Sequence, residues 1–157
     1  MTLVEMVAAI VVLSIVGAMV LPIMAGATDA YAESVAVRRA SERAGYAMER
    51  AIRLLRDAPA GTAAGEVGIA SATAASVAFT DGRGLVLRGG TLMLVTPAGE
   101  TPLASGVRSL TLGFIGADGI TSVVATPRLT YRFLIGIDVD GLELRGVAMP
   151  RVRLVGR

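Results

Sequence analysis

Along its first 27 positions the chain scarcely alternates between apolar and polar residues. From Met6 to Ala27 only Ser14 is distinctly polar and nothing is charged. About 20 apolar residues cross roughly 30 Å of hydrocarbon, so this run predicts a retained membrane helix. It is too long for the apolar region of a signal peptide. Residues 28–57 change abruptly to mixed charge at helical spacing. Val37, Ala40, Ala44, Ala47, Ala51 and Leu54 recur three and four apart, and Tyr31, Val35, Met48, Ile52 and Leu55 widen the stripe. Arg39, Glu42, Arg43, Glu49, Arg50 and Arg53 fall on the other face. No breaker separates the two segments except Pro22 and the glycines at 17 and 26, so one helix of more than fifty residues is expected, stopping near Asp57-Ala58-Pro59.

Residues 58–65, APAGTAAG, read as a linker, and 66–157 as a β-rich domain. The expected strands are 76–80, 85–90, 91–96, 108–116, 120–126, 129–141 and 142–149, with PAGETP (97–102) as a loop. Residues 108–116 and 120–126 read as one hairpin. Asp-Gly at 81–82, 118–119 and 140–141 suits tight turns with positive φ. The fold class is α+β: a long N-terminal helix packed on a C-terminal antiparallel β-sheet domain. The alanine stripe of residues 37–54 is expected to face that sheet.

Composition narrows the chemistry. The chain has no Cys, His, Trp or Lys, and all 15 basic residues are arginine. Triads built on His or Cys are therefore impossible, disulfides are excluded, and thiolate and imidazole metal ligands are missing. No catalytic residue, cofactor or metal site is assigned, and the inventory argues against an enzyme. Asp138 and Asp140 in IDVDG read as turn residues, because a calcium loop needs more oxygen ligands at set spacings. Six arginines between Arg38 and Arg56 share their stretch with five acids between Asp29 and Asp57. Together with 4% aromatic residues, that balance argues against a nucleic-acid footprint.

Glu5 stands out. A carboxylate at the middle of a membrane helix costs on the order of 3 kcal/mol on insertion scales. Near an end it costs less, and Thr2-Leu3-Val4-Glu5 fits the T-x-x-E capping box, in which Thr2 caps the first turn and Glu5 reaches back to the Thr2 amide. Pro22 removes one backbone hydrogen bond and Gly17 lowers helix propensity nearby, so kinks or local loss of helix are expected between them.

MTLVEMVAAIVVLSIVGAMVLP resembles the mature N-terminus of type IV pilins and of the pseudopilins of type II secretion. Thr2, Leu3, Glu5 and Pro22 stand at the positions of the family pattern. The resemblance implies that a prepilin peptidase removes a basic leader and that Met1 becomes the methylated terminus. It implies that Glu5 meets the Met1 amine of a neighbouring subunit and sets register, with Thr2 and Leu3 completing the motif. It also implies a helix break or melt between about 15 and 24, around Gly17 and Pro22. The expected partners are other pilin subunits and an inner-membrane assembly platform. The expected location is the inner membrane before assembly and a periplasmic or extracellular filament afterwards. Alternatives are a minor or tip subunit for adhesion or DNA uptake, and a single-span membrane-anchored β-domain sensor.

Overall fold

A computed structural model describes residues 2–153; Met1 and the last four residues of the expected 66–157 domain lie outside it. Its one long helix, α1 (Leu3–Arg56), is packed on antiparallel sheets, giving an α+β fold. The chain divides into two compact units, one up to Arg39 and one from Ala40 onward.

The first unit is helix throughout from Leu3. Its apolar side chains from Leu3 to Met24 are exposed all round. Pro22 lies inside the helix, which is unbroken from residue 15 to residue 24. The break expected there is absent from this single chain. Proline forfeits only its own bond to the Ala18 carbonyl, while the surrounding Val, Leu, Met and Ala keep the bonds on either side. Ser14 and Thr28 donate their hydroxyls to the carbonyls of Ile10 and Met24, both at 2.8 Å. Those polar side chains are therefore satisfied within the helix itself.

The second unit packs the end of α1 on two sheets. One is a five-stranded meander: β1 (Ile69–Thr73), β2 (Ser76–Phe79), β3 (Gly84–Arg88), β4 (Thr91–Thr96) and β5 (Gly99–Ser105), in that spatial order. The other is a three-stranded meander: β6 (Val107–Ile115), β7 (Arg132–Val139) and β8 (Leu142–Ala148). Backbone bonds from Leu112 N–H to the Ala74 carbonyl (2.7 Å) and from Val107 N–H to the Gly90 carbonyl (2.9 Å) join them. Ala44, Ala47, Ala51 and Leu55 enter one core with Leu85 and Leu92 of the first sheet and Phe114, Phe133, Ile135 and Ile137 of the second. Phe114 and Phe133 are register partners, and their rings meet edge to face at 5.7 Å. Gly146 marks the close approach of helix and strand: a Cβ there would lie 2.9 Å from Ile52 and 3.1 Å from Met48.

Period-two alternation predicts β6 and β7 well. Leu110, Leu112 and Phe114 point inward, as do Phe133, Ile135 and Ile137. The Asp140-Gly141 turn is also as expected, with φ of 52° and 91° in a two-residue hairpin loop between Val139 and Leu142. Three further expectations fail. The 120–126 segment is not a strand; it makes one bridge, Ile115 to Ser122, and β6 pairs with β7 instead. Its sequence lacks alternation, and Asp118 bends it by accepting hydrogen bonds from the Ile120 and Thr121 amides at 3.0 and 2.9 Å. The 97–102 loop is mostly β5, and only Pro97 and Ala98 lie between the strands. Pro102 is tolerated there because β5 is an edge strand with a register shift beside it. Val37 is not part of the buried stripe; it is exposed, and burial begins at Ala40.

Candidate functional site

The site that the sequence singles out is the start of α1. Thr2 precedes the helix, and its N–H donates to the Glu5 carboxylate at 2.7 Å. In return the Glu5 N–H donates to Thr2 Oγ1, a longer bond at 3.4 Å. The Met6 N–H donates to the Thr2 carbonyl at 3.2 Å, closing the first turn. This reciprocal pair is a capping box, as the T-x-x-E spacing predicts. It satisfies two orphan donors of the helix start and places negative charge against the positive end of the helix dipole. Chemically the group is a carboxylate at the end of an apolar rod, accepting from one backbone amide.

Leu3 follows at 82% exposure, with no tertiary contact to explain it. Gly17 and Pro22 lie further along the same helix. A Cβ added at Gly17 would meet nothing within 4 Å, so no neighbour among the described residues accounts for a glycine there. Met1, expected as the processed terminus and as the register partner of Glu5, lies outside the described residues. The structure therefore brings Thr2 and Glu5 together, spaces Gly17 and Pro22 along an uncovered helix, and leaves the Met1 expectation aside. From Leu3 to Ala27 the helix spans about 37 Å at 1.5 Å per residue. It is long and apolar enough to cross a membrane once.

The second unit contains charged junctions that sequence reasoning missed. Arg43 of the helix pairs with Asp140 of the β7–β8 turn at 2.9 Å. Asp57, just past the helix, accepts from Arg83 through its carbonyl at 2.6 Å and pairs with Arg151 through its carboxylate at 3.1 Å. These partners lie far apart in sequence, and no local spacing signals them. Asp138, the other acid of IDVDG, accepts from the Gly141 N–H at 2.8 Å. In the 116–126 loop, the Thr121 hydroxyl and the Ile120 and Thr121 amides hold the Asp118 carboxyl below its ordinary value. Glu143 beside Arg145 raises that guanidinium.

Compared with known proteins, the chain matches no family model, no curated sequence and no solved structure.

Proposed function

We propose that this protein is a filament subunit of the type IV pilin and type II pseudopilin class. It waits in the inner membrane through residues 3–27, with its β-rich domain outside the cytoplasm. An assembly platform then moves it into a helical filament whose core is made of these apolar helices. Exchange of lipid for neighbouring helices costs little hydrophobic free energy. The observation that carries the reading is Glu5, the one carboxylate before Asp29, held at the helix start by a single short bond to the Thr2 amide. In the membrane that bond makes the charge tolerable. In the filament the Met1 amine of a neighbouring subunit replaces the amide, and the carboxylate becomes a register device. A buried charge facing an opposite charge is far less costly than one alone. Gly17 and Pro22 suit a local melt on assembly, because the Ala18 carbonyl already lacks its donor.

The test is Glu5→Ala in the full-length protein, read by membrane fractionation and by filament yield. Membrane insertion should be unchanged, because the substitution removes a cost. Filament yield should fall roughly ten- to hundredfold, the value of one charge-assisted hydrogen bond of about 1.5–3 kcal/mol. Normal filaments from Glu5→Ala would refute the register role. Intact mass of the natural protein supplies the second arm: a methylated Met1 supports the reading, and an unmodified initiator methionine opposes it.

A further inference from the structure

The buried stripe of the second unit runs through Ala40, Ala44, Ala47 and Ala51. Carried backwards at the same three-and-four spacing, it reaches Val37, Glu33 and Asp29, all exposed. Asp29 and Glu33 are four apart on one helix face. Like charges at that spacing repel, and neither side chain has an ion-pair or hydrogen-bond partner among the described residues. This is an acidic face awaiting cations.

The second unit carries the complement. Arg50, Arg53 and Arg56 step along one three-residue ridge of the helix. Arg53 is shared with Glu49 at 2.9 Å, whereas Arg50 and Arg56 have no partner among the described residues. The ridge borders two adjoining hollows of about 190 and 460 Å³, which share Arg53 and Asp57. Asp57 does not neutralise the ridge, because its carboxylate is taken by Arg151.

We propose that the Asp29–Glu33 face of one copy docks on the Arg50–Arg56 ridge of a second copy. Two unpaired carboxylates meet two unpaired guanidiniums, and every partner needed is on this chain. The two surfaces differ, so the contact is heterologous and repeats from copy to copy instead of closing as a symmetric dimer. This rests on the filament reading and names the contact that would propagate it outside the apolar core.

The chain has no cysteine, so engineered thiols report without background. The full-length double variant Ala32→Cys/Arg53→Cys places one thiol within each surface, positions that face each other when parallel helices dock the acidic pair on the arginine ridge, and too distant along one helix to join within a chain. Mild oxidation of whole expressing cells, assembled material included, should give a ladder of dimers, trimers and higher species, where either single cysteine stops at dimers. In that background Arg50→Glu/Arg56→Glu, or Asp29→Arg/Glu33→Arg, should cut the ladder about tenfold, since like charges across an interface are strongly unfavourable. Combining both reversals should restore it to within about twofold, which also shows that the variants fold. No ladder in the unreversed background, equal ladders in all four, or no recovery in the combination would overturn the docking. Filaments without a ladder would defeat the docking and leave the filament reading standing. A ladder without filaments would do the reverse.

Discussion

Residues 3–39 and residues 40–56 belong to one helix, yet the first stretch exposes its large side chains and the second buries its small ones. Ile10, Val12, Leu13 and Leu21 are exposed, whereas Ala44, Ala47 and Ala51 are completely covered. Side-chain size does not decide burial here; the neighbour does. Alanines let two sheets approach the helix backbone closely, and Gly146 on β8 lets Met48 and Ile52 come closer still. The large side chains of the apolar stretch are exposed, a surface suited to lipid or to other helices. Its length and lack of charge fit a membrane span.

The largest effect should come from removing the cover. Phe133 is fully buried and packs edge to face on Phe114. Phe133→Ala should destabilise the second unit by about 3–5 kcal/mol, measured by chemical denaturation of the full-length protein in detergent. Val12→Ala removes an exposed side chain and should leave that unfolding transition in place. Equal losses from both would erase the distinction between the two stretches.

One residue type can sharpen the same contrast. Ala51→Leu forces a large side chain into a closed contact and should cost about 1–3 kcal/mol. Ala9→Leu, on the exposed stretch, should leave the unfolding midpoint of the domain unchanged. A neutral Ala51→Leu would mean that helix and sheets are not closely packed at this position.

Much of this arrangement is legible in the residues, for identifiable reasons. The three-and-four spacing marks the helix and its alanine stripe, and strict alternation marks β6 and β7. Asp140-Gly141 marks its own turn, because few residue pairs accept positive φ twice. The T-x-x-E spacing marks the capping box by itself. What stays hidden is non-local. The β5 edge strand carries Glu100, Thr101 and Pro102, which read as loop until a neighbouring β4 supplies the pairing. The 120–126 segment looks strand-like by composition but is diverted by the Asp118 turn. Val37 fits the stripe in sequence, and only the extent of the sheets shows that the cover ends at Ala40. The continuity of the helix through Pro22 is likewise a balance between one lost bond and many retained ones.

A smaller effect is expected at the junction of Arg43 with Asp140. Both side chains are nearly half exposed, at 44% and 46%. Water and salt screen such a pair, so its coupling should be about 0.2–1 kcal/mol. A double-mutant cycle of Arg43→Gln and Asp140→Asn, read by thermal unfolding, isolates that pairwise value from the other contacts of each residue. Coupling well above this range would make the junction a principal fastening of the helix end, on a par with the buried alanines.

The smallest effect separates the two stretches by acid. Residues 6–27 contain no titratable side chain, whereas the second unit holds the Asp118 turn. The Asp118 carboxyl is lowered from its ordinary value near 3.8 by the Thr121 hydroxyl first, then by the Ile120 and Thr121 amides. A carboxyl lowered by folding stabilises the folded turn fully above its unfolded value. That contribution is lost as pH falls from about 3.8 through the lower folded value. Hydrogen exchange at the Ile120 and Thr121 amides, corrected for intrinsic rates, should therefore accelerate below about pH 4. Exchange within residues 6–27 should show no such step. Asp118→Asn cannot ionise, so it should flatten the acid step while keeping an oxygen to accept the amides. An unchanged step in Asp118→Asn would assign the acid sensitivity to another carboxylate of the domain.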